Sequence, residues 1–263
     1  MTAAAPGGLP PALTWPVVVA LAAALGSFLN VCISRLPRGE SIVYPPSHCP
    51  RCQTPIRYYD NIPLVSFAVL GGRCRACRLA ISWRYPLVEA LAVIAGVVVF
   101  WQLGPTWDGL RAFVLLLALI AITFTDVEHH IIPNWISVPG IFVGLAFQLY
   151  PSPFWGVVDG LAGCLVAGTL FFLIAWLSPL VFGKEGMGMG DVKLAGMLGA
   201  FLGLKVVIVA IYAAIFAGGL VGVLLLVFRL KRLGQYIAFG PFLALGGVLA
   251  VLWGRPFLRW YFG

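Results

Sequence analysis

Two aspartates and two pairs of cysteines are the residues of this chain best suited to chemistry. Gly186, Gly188 and Gly190 lead into Asp191, which opens the apolar run Val192-Lys193-Leu194 and onward. Alternating glycines let the backbone take unusual dihedrals and let another chain come close. A carboxylate at the edge of an apolar span is costly, so it reads first as functional; the plainer reading is an Asp N-cap. Asp191, Ala195, Gly199 and Gly203 recur every fourth residue, a small-residue face of the kind that packs on another membrane helix. Asp126 closes a second charge-free run, in Thr125-Asp126-Val127-Glu128-His129-His130. Alone it would read as a solvated residue at a helix end. Two such aspartates at one membrane face read differently: carboxylates that share a site do not both ionise cheaply, so one can serve as acid while the other activates water. That pair can cleave an amide without a covalent intermediate or a metal. The chain carries no His-Glu-x-x-His zinc motif and no Gly-x-Ser-x-Gly nucleophile elbow. Glu128, His129 and His130 read as ordinary polar residues of a membrane boundary, with tuning of the site as the alternative, since His129 and His130 follow Asp126 by three and four residues. Glu89, just inside an apolar run, is a further functional candidate, with snorkelling or pairing to Arg84 as alternatives.

The cysteines ask for a different chemistry. Cys49 and Cys52 form one Cys-x-x-Cys pair, Cys74 and Cys77 another, with 21 residues between them. Two such pairs fit a four-thiolate zinc site, which leaves no open position for water and is therefore structural. Two redox pairs, or a disulfide framework if the segment lies outside the cell, are the alternatives. His48 adjoins Cys49 as a possible substitute ligand but reads rather as a surface residue. Cys32 and Cys164 fall in apolar runs and read as ordinary buried side chains.

These residues must be positioned by membrane helices. The chain is 61% hydrophobic and 10% charged, with mean hydropathy +1.00. That balance excludes a soluble globular domain and implies an all-α polytopic membrane protein. The net charge of +8 comes with no nucleic-acid-reading motif, so its partner is the lipid bilayer and not nucleic acid. Residues 1–13 hold no Lys or Arg, so the first apolar run is expected to stay as a span. Eight spans are expected, at about 14–33, 86–104, 110–125, 132–150, 157–182, 192–204, 206–228 and 236–254. The sixth is short and joins the seventh tightly through Gly203, Leu204 and Lys205. The expected organisation is a first segment over 1–33, a Cys-rich loop domain over 34–85 and a seven-span membrane domain over 86–263. With the N-terminus outside, thirteen of the seventeen Lys and Arg fall on inside segments, as the positive-inside rule requires. The loop and both aspartates are then cytoplasmic, and Asp108 and Asp159 lie on the outer side.

Several segments together resemble the type IV prepilin peptidases, also called leader peptidase/N-methyltransferases, of the membrane aspartic protease group with a Gly-x-Gly-Asp motif. The likeness runs through Gly26 to Val31 with Arg35-Leu36-Pro37, the two cysteine pairs, and Trp83 to Glu89. It continues through Asp126 with Ile132-Pro133, Gly188 to Leu194, and Phe239 to Leu243. Asn134 departs from it, since an Asp is expected there. The resemblance implies Asp126 and Asp191 as the catalytic pair, Gly188, Gly190 and Lys193 as the supporting loop, and Cys49, Cys52, Cys74 and Cys77 as ligands of structural zinc. It implies prepilin or pseudopilin substrates, cut after a glycine that follows a short basic leader, in type IV pilus or type II secretion systems of the bacterial inner membrane. It also implies N-methylation of the new N-terminus by S-adenosylmethionine, although 52 residues between spans are too few for a Rossmann methyltransferase. A non-enzymatic carrier or assembly factor with a zinc-ribbon docking loop is the competing class. The paired broken helices of transporters are absent from the pattern.

Overall fold

The computed structural model describes residues 11–182, 187–228 and 238–262. Among them are nine α-helices: α1 (Pro11–Arg35), α2 (Val65–Val69), α3 (Arg84–Leu103), α4 (Trp107–His129), α5 (Asn134–Phe147), α6 (Pro153–Phe182), α7 (Met189–Leu202), α8 (Leu204–Val227) and α9 (Gly240–Phe262). No strand is present among the described residues. Gly186, residues 229–237 with their three basic side chains, and the expected start of the last span at 236 lie outside them.

The all-helical membrane class expected from composition holds. The expected eight spans match eight helices in place, but only six, α1, α3, α4, α6, α8 and α9, are long and apolar enough to cross a membrane. α5 and α7 have 14 residues each, about 21 Å against the ~30 Å of a hydrocarbon core. α5 comes out shorter than its apolar run because Pro133 sets its start, having no N–H to continue a helix inward. At its other end Gln148 folds across to α7 and donates from Nε2 to the carbonyls of Ala200 and Phe201 (3.2 and 3.1 Å). Those carbonyls belong to a helix end with no partner of its own.

α7 is the centre of the bundle. It packs against α5, α6, α8 and α9, and Asp191 and every residue from Leu194 to Phe201 are buried. The small-residue face makes this possible. A Cβ on Gly199 would overlap the backbone of Gly163 in α6, so the two helices meet backbone to backbone, as small residues permit in membranes. Gly203, at φ +77°, turns the chain from α7 directly into α8.

Helices α1, α3 and α4 form the other half, and their ends meet under the Cys-rich loop. Arg84 spans all three: Nη1 pairs with Glu128 (2.6 Å) and Nη2 donates to Ser34 Oγ (3.1 Å). Asn30 donates from Nδ2 to the Tyr85 carbonyl (3.1 Å), fixing α1 to the start of α3. Glu89 therefore does not pair with Arg84. It is 8% exposed and accepts the backbone N–H of Leu64, in the loop.

Candidate active site and metal centre

Asp126 sits in the last turn of α4 and Asp191 in the first turn of α7. They are 3% and 4% exposed, and Asp191 lies within the electrostatic reach of Asp126. Each carboxylate is held by main chain. Asp191 accepts a backbone hydrogen bond from Gly188, and its own N–H returns to the Gly188 carbonyl (3.1 Å). Asp126 accepts one from Gly240, the first residue of α9. The N-terminus of a helix has free N–H groups and the positive end of the macrodipole. α9 thus offsets the unfavourable position of Asp126 at the C-terminal end of α4, and Asp191 lies within the same kind of field from α7.

The glycines that border the site are required by space. Gly188 and Gly190 do not have positive φ, contrary to one reason for expecting glycine here; Gly188 is extended and Gly190 is helical. A methyl on Gly190 would come 2.9 Å from Ile132 Cβ, and one on Gly240 would overlap the Asp126 carboxylate. Ile132 is buried between these two glycines and closes the floor of the site. Lys193 turns away: its Nζ donates to Asn134 Oδ1 (2.7 Å), so the residue standing where an Asp was expected is the partner of this lysine. His130 ends α4 in the left-handed region, and its backbone N–H donates to the Asp126 carbonyl (2.9 Å). Glu128 is engaged with Arg84 and approaches His129 at 4.0 Å. Gly240 and Ile132 were not among the expected site residues. The Phe239-Gly240-Pro241 turn was the available signal, because a Gly-Pro pair marks a helix start without saying what the start faces.

The loop builds the second centre from two equivalent turns. Cys49 N–H donates to the Thr54 carbonyl (3.0 Å) and Gln53 N–H to the Cys49 carbonyl (2.9 Å). Cys74 N–H donates to the Leu79 carbonyl and Arg78 N–H to the Cys74 carbonyl, both at 2.9 Å. In each turn the residue after the second cysteine, Gln53 or Arg78, is left-handed, at φ +58° and +60°. Isolated bridges, His48 to Pro55 and Arg73 to Ala80, close the two turns. The four sulfur atoms lie within 4.8 Å of one another, with Cys49 Sγ and Cys77 Sγ at 3.9 Å. A tetrahedron of Zn–S bonds of ~2.3 Å has edges of about 3.8 Å, so the donor set fits zinc. Hydrogen bonds with Thr54 pull the Cys52 thiol down to about 6, which favours the thiolate a metal needs. Hydrogen bonding at Cys77 and Ala76 likewise lowers Cys74. Cys77 rises to about 11: the Leu79 contact lowers it, but burial and the neighbouring thiols prevail. A bound cation would reverse that repulsion. Asp60 holds the second turn through a two-bond pair with Arg75 (2.6 and 2.8 Å). His48 is no ligand here; its Nδ1 meets the Pro46 carbonyl (3.1 Å). Cys32 is buried and Cys164 packs beside Gly196, as ordinary side chains.

Comparison with known proteins agrees with this organisation. Residues 20–103 match the bacterial peptidase A24 N-terminal domain, and residues 113–223 match the type IV leader peptidase family. The prepilin leader peptidase/N-methyltransferase of Aeromonas salmonicida (strain A449) is 37% identical over 279 residues, covering 95% of this chain and 94% of its own. The chain belongs to the type IV leader peptidase family. Prepilin leader peptidase/N-methyltransferases from Pseudomonas aeruginosa and Neisseria gonorrhoeae are 36% and 34% identical, covering 90% and 88% of this chain and 89% and 88% of theirs. No solved structure matches the chain. The leader-peptidase match at 113–223 contains both aspartates and ends before α9, so the Gly240 contact to Asp126 comes from outside it.

Proposed function

We propose that this protein is a membrane aspartic endopeptidase that removes the leader of type IV prepilins or pseudopilins and then methylates the new N-terminal amine. The observation that carries the reading is the burial of both Asp126 and Asp191, in the last turn of α4 and the first turn of α7. The name shared by relatives at 34–37% identity supplies the substrate class and the second activity. In this reading one carboxylate takes a proton from water as the water attacks the scissile carbonyl, and the other, protonated, gives its proton to the leaving amine. Gly188 and Gly240 keep the two carboxylates in place through their backbone N–H groups, and Ile132 excludes bulk water from below.

Zinc on Cys49, Cys52, Cys74 and Cys77 would stabilise the loop over residues 34–85 and take no part in hydrolysis. S-adenosylmethionine, whose sulfonium carries the methyl group, would be the second substrate of the methylation step. The loop and the aspartates lie at one end of the bundle, and the arginine-rich loop makes that end cytoplasmic by the positive-inside rule, in the bacterial inner membrane. A membrane-impermeant thiol reagent should therefore fail to label a cysteine introduced at Glu40 in intact cells.

The test is direct. Purified Asp126→Asn and Asp191→Asn proteins are incubated with a full-length prepilin, and leader loss is followed by mass. Each should lose cleavage while keeping its helical content, and the double variant should be little worse, because the pair acts as one unit. Cleavage by the wild type should fall on both sides of a pH optimum. Near-normal cleavage by either single variant would remove the aspartyl mechanism.

A further inference from the structure

The end of the bundle opposite the aspartates carries a charge imbalance that hydrolysis does not use. A cleft of about 280 Å³ opens there between α4, α6, α8 and α9. Four cations line it: Arg111, Lys205, Arg255 and Arg259. Among the described residues only two carboxylates stand against them. Asp108 holds both Arg111 (2.8 Å) and Arg255 (3.2 Å). Asp159 accepts the N–H of Leu204 (3.1 Å), capping α8. Among the described residues no carboxylate pairs with Lys205 or Arg259. Lys205 is also the second residue of α8, where the macrodipole already puts positive charge. Asp159 supplies one negative charge at that helix start, and the Lys205 ammonium itself has no ion-pair partner among the described residues.

The floor of the cleft is fixed in advance. The Arg111 side chain is 15% exposed and donates to Gln148 Oε1 (3.1 Å), while Gln148 is tied to the end of α7. The depth is given by aromatic side chains. Trp107, Tyr150, Trp155, Trp260 and Tyr261 are all exposed at this end, and exposed Trp and Tyr gather at the level of lipid headgroups. Leu202, Val206 and Leu258 form the apolar wall of the same cleft.

We propose that this cleft binds the phosphate headgroup of an anionic phospholipid, with Lys205 and Arg259 as the unpaired cations that meet it, Arg111 as a fixed charge behind them, and one acyl chain along Leu202, Val206 and Leu258. Free phosphate shares the headgroup chemistry but has no use for an apolar wall at the depth of the aromatic side chains.

Delipidated wild-type protein and the Lys205→Gln/Arg259→Gln double variant are titrated with phosphatidylglycerol, phosphatidylcholine or inorganic phosphate in detergent. Bound lipid is counted by native mass spectrometry and stability by thermal unfolding. The wild type should retain phosphatidylglycerol, and should do so less as salt is raised. Affinity should fall about fivefold for each cation removed, the strength of one basic residue at an anionic surface. The charge-keeping Lys205→Arg/Arg259→Lys variant should bind as the wild type does. Prepilin cleavage in detergent should be the same in all three proteins, which shows that they are folded. Equal retention of phosphatidylcholine, or undiminished phosphatidylglycerol on the Gln variant, overturns the proposal. Stabilisation by inorganic phosphate equal to that by phosphatidylglycerol would replace the lipid with a free anion and overturn it as well.

Discussion

Glu89 Oε2 accepts the backbone N–H of Leu64 at 2.8 Å, joining the second turn of α3 to the Cys-rich loop 25 residues earlier in the chain. Leu64 is held at φ +61°, a region a leucine rarely adopts. It stands at the start of α2, where N–H groups have no helical partner. Glu89 also meets Ser27 of α1. One carboxylate thus fixes the angle at which the loop leaves the bundle.

Glu89→Gln keeps an acceptor and should leave the loop docked. Glu89→Ala should leave Leu64 N–H without its partner at a cost of about 1 kcal/mol. Limited proteolysis should then cut residues 36–83 about fivefold faster than in the wild type. Equal cutting rates in both variants and the wild type would show that this hydrogen bond does not hold the loop.

Gly240→Ala should damage chemistry more than folding. Its methyl would overlap the Asp126 carboxylate, and a displacement of about 1 Å in a catalytic group can cost on the order of a hundredfold. We expect kcat/KM for prepilin cleavage to fall by roughly that factor, with the thermal midpoint nearly unchanged. Full activity would mean that α9 does not bound the site.

Gly199→Val should do the reverse. There is no space for a side chain against the Gly163 backbone, so α6 and α7 must separate. The expected destabilisation is about 3 kcal/mol, the upper end of overpacking costs, read as a lowered midpoint of thermal unfolding in detergent. Gly219→Val is the control, because nothing lies near that glycine; its midpoint should stay within a degree or two of the wild type.

The metal centre predicts a stoichiometry and a pH response. Purified protein should carry one zinc per chain by elemental analysis, and Cys49→Ser or Cys74→Ser should remove most of it. Protease should then cut residues 34–85 freely, since bound zinc supplies much of the folding energy of a small domain, and peptidase activity should fall only in part. A thiol lowered in the folded state stabilises it at higher pH and loses that contribution as pH falls. Zinc needs the thiolate form of all four cysteines, the lowered Cys52 and the raised Cys77 alike, so it competes with protons and should be released progressively as pH falls.

The sequence revealed what repeats or carries a charge at an apolar boundary. Asp191 and the small residues behind it marked a buried helix because their four-residue spacing puts them on one face. The cysteine pairs marked a metal centre by spacing alone. Contacts between distant segments were not legible. Glu89 could have paired with Arg84, its neighbour on α3, and only the packed bundle sends Arg84 to Glu128 and Glu89 to Leu64. Gly240 lies 114 residues from the aspartate it touches, and a Gly-Pro helix start looks the same whether it faces water or a carboxylate. The length of α5 was hidden for a related reason: apolar residues continue on both sides of the helix, beyond Pro133 and Gln148, which bound it. The shortness of α7 was legible, because Gly203 marks its end.

The enclosure of α7 separates the depth of Asp191 from the thickness of the surrounding lipid. Helices α1, α6 and α8 expose large apolar side chains along their length and meet hydrophobic mismatch by tilting or by deforming the bilayer around them. α7 is surrounded by protein and does not feel that mismatch directly. Its register is set by Gly163, Gln148 and Ile132. The carboxylate pair should therefore keep its geometry in thick and thin membranes alike, while the tilt of the outer helices adapts to each.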